Sequence, residues 1–202
     1  MQSSFHFGFL IRQGGYRLPS KLYRCLILSI SVLASQCVTV PPACAADKIS
    51  VDTLQAAVHS LGFLETLPKD GTINAGVIYA ADMPSTETSA EEAARVLNST
   101  PGPNSSRLRA IVLSTDGLSQ FRGRLDVIFL MPGSSGHADQ ILNVMHAHQL
   151  VSISDDPACL DRNCCVLMVH SGQRMEIVLN TALANSVGAR FSLVFTMVVK
   201  RK

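Results

Sequence analysis

Hydrophobic and polar positions along the chain switch between a helical and a strand-like period, and this alternation predicts an α/β fold. Residues 51–61 carry apolar side chains at the three- and four-residue spacing of an amphipathic helix, and Ser50 precedes them as a cap. After a turn, residues 72–81 are nearly all apolar, which is typical of a parallel strand buried on both faces.

The middle of the chain continues this order of elements. A capping box at residues 88–91 predicts the start of a second helix. Apolar runs predict strands, and a stripe of apolar positions predicts one more helix. The predicted strands are residues 108–113, 125–131 and 150–154, the helix is 137–148, and turns are predicted at 116–117 and 155–157.

The last fifty residues predict an antiparallel addition to the sheet. Residues 165–170 and 174–180 flank a short polar turn, and apolar and polar side chains alternate in the second arm, as in a β-hairpin. A helix at 181–187 follows, while the apolar run 191–199 fits a helix or a strand equally well. The predicted fold is therefore a single three-layer α/β/α domain, with a mostly parallel sheet and a C-terminal antiparallel hairpin.

The beginning of the chain has the pattern of an export signal. Basic residues precede the apolar run 25–34, which is too short to span a bilayer, and small residues spaced as Ala43-x-Ala45 follow it. We expect residues 1–46 to be a cleavable signal peptide, residues 47–202 to form the domain, and the location to be the periplasm. An uncleaved membrane anchor is the alternative, and lipidation at Cys37 or Cys44 fits the preceding residues poorly.

Charge argues against a nucleic-acid partner. The 202 residues include 17 Lys and Arg against 15 Asp and Glu, but four of the basic residues lie in the predicted signal peptide. The remaining domain is slightly acidic and lacks the clustered basic residues that neutralise phosphates.

Three cysteines remain after the predicted signal peptide, and export exposes them to an oxidising compartment. Cys159 paired with Cys164 or Cys165 would close a short loop. The third thiol would be buried, or would link two chains in a homodimer. No histidine has the spacing of a zinc ligand, so we expect no metal.

Few residues in the sequence are candidates for ligand binding or catalysis. Ligands of open α/β sheets bind beyond the carboxyl ends of the strands, which predicts a pocket at Asp82, Ser134, Ser135 and Asp155, although short turns there could be plain connectors. Residues 133–136 lack one residue of a nucleophile elbow, and neither a dinucleotide fingerprint nor a P-loop is present. The sequence predicts neither an enzyme nor a bound cofactor.

Several segments resemble the YfiR family of exported bacterial proteins. They are LDVIFL, LVSISDDPAC and, most clearly, RMEIVLNTALANSVGARFS, with a looser match in LQAAVHSLGFLETLP and GTINAGVIYAAD. The resemblance implies a periplasmic α/β domain without enzyme activity that restrains a membrane-bound diguanylate cyclase, and hence c-di-GMP synthesis, by contacting the periplasmic part of that protein. It also implies a loop disulfide like the one expected at Cys159.

Two functional hypotheses follow. In the first, the protein is a periplasmic regulator that binds an inner-membrane protein, with the contact surface at Phe191, Leu193 and Phe195, because an apolar run is either core or an exposed interaction patch. In the second, it is a small-molecule-binding domain related to solute-binding proteins, with the predicted pocket as its site.

Overall fold

The computed structural model describes residues 49–68 and 71–202, and the elements given below are those of this part of the chain. The strands are β1 (Thr72–Tyr79), β2 (Arg107–Ser114), β3 (Val127–Leu130), β4 (Val151–Ser154), β5 (Leu167–Ser171), β6 (Met175–Leu179) and β7 (Lys200–Arg201). The helices are α1 (Val51–Leu61), α2 (Ser85–Ser99), α3 (Thr115–Gln120), α4 (Ala138–His148), α5 (Pro157–Asp161), α6 (Thr181–Ser186) and α7 (Leu193–Val198), with short 3₁₀ turns at Pro103–Ser105 and Ser134–His137.

All seven strands join one sheet in the order β2-β1-β3-β4-β5-β6-β7. Neighbouring strands from β2 to β5 run parallel, β6 is antiparallel to β5, and the short β7 lies parallel to β6. Helices lie around this sheet, so the predicted α/β domain with a mostly parallel sheet and a C-terminal hairpin is confirmed.

The core lies on both faces of the central strands. Every residue of β3 is buried, and Val77 of β1 pairs with Phe129 of β3, which in turn pairs with Ile153 of β4. Helices on both sides of these strands explain why the sequence there is apolar without alternation.

The predicted start of the second helix is wrong. Helix α2 begins at Ser85, and the expected capping box at residues 88–91 lies inside it. Pro84 precedes the helix with φ −57° and ψ −27°, so its ring already holds the backbone in the helical region. The Thr86 hydroxyl donates to the carbonyl of Met83 at 2.7 Å, which completes this first turn.

One predicted turn, at 116–117, is a short helix instead, and the predicted turn at 155–157 leads directly into another at Pro157. Ser114 Oγ accepts a hydrogen bond from the backbone N–H of Gly117 at 3.0 Å, which caps α3. Asp156 Oδ1 accepts from the N–H of Ala158 at 2.9 Å, and Pro157 occupies the first helical position of α5. In both places a polar side chain after a strand starts a helix.

The apolar run near the C-terminus, which the sequence left undecided, forms helix α7 followed by the two residues of β7. Ser192 Oγ accepts from the N–H of Phe195 at 3.4 Å at the start of this helix. The segment therefore joins the same sheet as the rest of the domain, through β6.

The predicted signal peptide, residues 1–46, lies outside the described residues. Within the described part of the chain, no helix is both long and apolar enough to cross a membrane.

Candidate functional site

Ser134 connects β3 to β1 and does not face a pocket. Gly133 has φ +87°, and this left-handed turn directs the following residue back toward the sheet. Ser134 is fully buried, and its hydroxyl donates to the carbonyl oxygen of Ile78 at 3.0 Å. This arrangement matches the plain connector that was the alternative interpretation of this turn.

Ser135 ties the same loop to helix α5. Its hydroxyl donates to Asp156 Oδ2 at 3.1 Å, while Arg162 Nη1 donates to the Ser135 carbonyl at 3.2 Å. Since Asp156 also caps α5, these contacts hold the ends of β3 and β4 together.

Asp82 pairs with a histidine across this edge of the sheet. His137 Nε2 lies 3.1 Å from Asp82 Oδ1, and the carboxylate is largely exposed to solvent. The hydrogen bond with His137 lowers the pKa of Asp82 below its ordinary value. The hydrogen bond with His137 therefore stabilises the ionised form of Asp82.

Replacing His137 by alanine should raise the pKa of Asp82 toward its ordinary value, because the main cause of the shift is removed. In the parent protein this contact stabilises the folded state at pH values above the ordinary pKa of aspartate. The stabilisation is lost as the pH falls through the lowered pKa of Asp82. Carboxyl ¹³C NMR titration measures the change. Glu176 is the internal control, since its pKa is held low by the hydrogen bond from Lys200 and should stay low in H137A. An unchanged Asp82 titration would contradict the assignment.

Asp155 lies at a separate cleft. This cleft has a volume of about 320 Å³ and is also lined by Ser50, His170 and Ser171. The Ser50 and Ser171 hydroxyl oxygens are 2.8 Å apart, which joins the start of α1 to the end of β5. Of the four residues predicted to form a pocket, Asp155 lines this cleft, and the other three make the separate contacts described above.

The cysteine pairing that the sequence left open is resolved. Cys159 and Cys164 form the disulfide, with their Cα atoms 5.1 Å apart, and Cys165 is a buried free thiol. The bond closes the loop after α5. Ser152 Oγ on β4 donates to the Cys164 carbonyl at 2.9 Å, which fixes this loop to the sheet.

Cys165 should resist alkylation in the folded protein. Burial, and then the negative charge of Asp156, raise the pKa of the thiol to about 12, so the reactive thiolate is scarce at pH 8. We expect iodoacetamide to label this cysteine only after a denaturant is added, as measured by the mass of the intact protein. Rapid labelling without denaturant would show that the thiol is accessible.

Of the three residues predicted to form the contact surface, one is largely exposed. Leu193 is 72% exposed, but Phe195 is only 2% exposed and Phe191 is half-buried. Phe195 stacks between two rings, with centroids 5.1 Å from Phe63 and 5.2 Å from Phe191. Including Phe195 in the surface was therefore wrong, because this ring anchors α7 to the core.

The exposed side of α7 is nevertheless apolar. Besides Leu193, it presents Val194, Met197 and Val198, which are 63%, 68% and 76% exposed. We call these four residues the α7 face. The sequence contained a signal for them, because positions i, i+1, i+4 and i+5 share one side of a helix, while Phe195 and Val199, four residues apart, share the other.

A groove of about 1030 Å³ lies between α1 and α7, and it is lined on one side by Val194 and Val198 of the α7 face but not by Leu193 or Met197. Met175 and Ile177 of β6 line it, with Phe63, just beyond the end of α1, on one side and Val198 of α7 on the other. Its polar lining includes His59, His170, Arg174, Glu176 and Lys200. Sequence reasoning missed this groove, because it arises from three segments that are distant in the chain.

The metal-ligating side chains are dispersed. Across residues 49–68 and 71–202, no group of three or more His, Cys, Asp or Glu side chains could hold a metal ion.

No protein-family model matches this chain, and no curated protein sequence matches it. Two solved structures share its fold. One is described as an ABC domain in complex with L-Trp from Streptococcus pneumonia, with a TM-score of 0.55 at 10% identity. The other is a conserved domain protein from Vibrio cholerae, with a TM-score of 0.56 at 9% identity. The match covers 74% of this chain and 60% of each solved chain, so the present protein corresponds to part of those molecules. At such low identity these similarities establish the α/β fold alone.

Proposed function

We propose that this protein is an exported, non-enzymatic binding module that acts by protein–protein contact through the α7 face. The observation that carries the proposal is the set of four neighbouring apolar side chains on one short helix, each at least 63% exposed. Contiguous exposed apolar side chains mark interaction sites on soluble proteins.

The partner we propose is the periplasmic part of an inner-membrane protein. The signal-peptide pattern of residues 1–46 supports the compartment, and the resemblance of residues 174–192 to the YfiR family supports a regulatory role. In that family a membrane-bound diguanylate cyclase is the best-known partner, so a cyclase is the first protein to examine.

The carboxyl edge of the sheet offers little support for catalysis. Ser134 donates to a backbone carbonyl, Ser135 donates to Asp156, and His137 pairs with Asp82. An activated nucleophile needs a base within hydrogen-bond reach, and the hydroxyl of Ser134 reaches only a backbone carbonyl. The carboxylate that accepts from Ser135 also caps α5 through its other oxygen, which is a structural role.

Co-purification tests the proposal. The exported protein is isolated from cells after chemical crosslinking, as the parent chain and as Met197→Asp. We expect the aspartate to reduce recovery of an inner-membrane partner by about tenfold, since it places a charge inside a buried apolar contact. Met83→Asp is the control, because Met83 is also exposed, at 42% against 68% for Met197, but lies at the carboxyl edge of the sheet. Equal recovery with both variants would refute a contact through α7.

A small-molecule-binding domain is the second candidate. Its support is the fold shared with a domain solved in complex with L-Trp, together with the cleft at Asp155. A ligand that binds the folded state must raise the midpoint of thermal unfolding. A thermal-shift screen that starts with L-tryptophan and the other amino acids should therefore detect it. No shift at millimolar concentrations would remove this candidate and leave the first unaffected.

A further inference from the structure

The helical layer on one side of the sheet has a gap above β6. Helix α1 is held to the neighbouring strand β5, where Thr53 Oγ1 donates to Ser171 Oγ at 2.7 Å. Helix α7 reaches the end of α1 through the stacked rings of Phe63 and Phe195. Between the two helices Met175 remains 43% exposed, whereas Val77 and Leu130 on the central strands are fully buried. The groove is therefore a stretch of sheet that lacks a covering helix.

The dimensions of this gap suit one helix of a partner. The five residues of β6 extend for about 17 Å at the usual rise of a strand. A helix that covers this length needs about 11 residues, or roughly three turns. Met175 and Ile177 lie at the floor of the groove, and Phe63 and Val198 form its walls. Because these side chains are apolar, the face of the helix that packs against them would be apolar too.

The charged residues at the rim of the groove favour a helix that carries acidic residues on both sides of its apolar face. Lys200 Nζ lies 2.6 Å from Glu176 Oε1, which neutralises the carboxylate in the lining. Arg174 is exposed and forms no ion pair with any residue that the structure describes. Arg174 is therefore the positive charge in the lining that is left to attract an acidic partner.

Charge and shape weigh against two other occupants. A second copy of this chain would bring one Arg174 and one basic segment 200–202 toward another, and like charges across an interface are unfavourable. A bilayer surface is flat on this scale, while Met175 lies at the floor of a groove with walls on two sides. An amphipathic helix laid into an apolar groove is a recurrent mode of protein recognition that fits both features.

We propose that the groove binds an amphipathic helix of the partner protein, with apolar residues at i, i+3, i+4 and i+7 facing Met175 and Ile177 and with Asp or Glu on its flanks. This inference rests on the proposed function, since it names the element by which the partner is held.

Site-specific photocrosslinking in intact cells tests it. Benzoylphenylalanine replaces Met175 or Val198 in the groove, or Met197 on the α7 face, in the full exported chain. Crosslinked peptides are then sequenced by mass spectrometry. We expect Met175 and Val198 to label one partner segment at residues three or four apart, with acidic residues beside them. Adducts with lipid, with a second copy or with an extended segment would each overturn the inference.

The same experiment separates this inference from the proposed function. Labelling from Met197 without labelling from Met175 would leave contact through α7 intact and refute the groove. No labelling from any of the three positions would refute both.

Charge is tested by Arg174→Glu, which should lower the labelling yield from Val198 by about tenfold through repulsion of the acidic flanks. Arg109→Glu is the control, because Arg109 is equally exposed but lies on β2 at the opposite edge of the sheet. Equal yields from both variants would overturn the acidic character of the helix.

Discussion

Replacing Leu130 by alanine is expected to lower the free energy of unfolding by about 3–5 kcal/mol. Leu130 is the last residue of β3, is fully buried, and pairs with Ile78 on one side and Ser154 on the other. Truncation loses the transfer free energy of the side chain and leaves a cavity that packed helices on both faces of the sheet cannot fill. Equilibrium unfolding in urea, followed by circular dichroism, measures the loss.

The same substitution at Leu193 provides the matched control. Leu193 is 72% exposed, so Leu193→Ala should change the free energy of unfolding by no more than about 0.5 kcal/mol. This comparison also bears on function, because it asks whether the α7 face is needed for folding. If Leu193→Ala were as destabilising as Leu130→Ala, the face would be part of the core and the contact proposed through it would lose its support.

Reduction of the Cys159–Cys164 disulfide is expected to lower the free energy of unfolding by about 2 kcal/mol, the chain-entropy value for so short a loop. Unfolding curves recorded with and without a phosphine reductant measure the difference, after a thiol assay confirms complete reduction. Cys165→Ala is the control, because its side chain takes no part in the bond and the effect of the reductant should be unchanged. Superimposable curves for oxidised and reduced protein would contradict a stabilising bond.

Much of the fold was predictable, because long elements leave a strong periodic signal. The unbroken apolar run that becomes β1 and the alternating arm that becomes β6 were both recognised as strands. Helices α3 and α5 were not recognised, since they are short and contain the turn-forming residues Asp116, Gly117 and Pro157. These helices start at the capping residues Ser114 and Asp156. Serine and aspartate are equally common in turns, so the sequence alone does not distinguish a helix cap from a turn at these positions.

The candidate site was less predictable, because side-chain direction depends on tertiary contacts. Sequence reasoning placed Ser134 at the correct edge of the sheet, but the left-handed turn at Gly133 directs its hydroxyl to Ile78, 56 residues away in the chain. Asp82 and His137 are 55 residues apart, and nothing in either segment indicates that they pair. At α7 the apolar character was recognised, but only the stacking of Phe195 determines which residues of the helix face outward.

Strand β7 gives the last three residues an unusual importance. The backbone N–H of Lys202 donates to the Leu179 carbonyl at 3.0 Å, and Thr181 Oγ1 donates to the Lys202 carbonyl at 3.0 Å. Removal of residues 200–202 would break these bonds and release the far end of the adjoining helix α7. An affinity tag or a fluorescent reporter is therefore better placed away from residues 200–202, because a change there would disturb the helix on which partner recognition is proposed to depend.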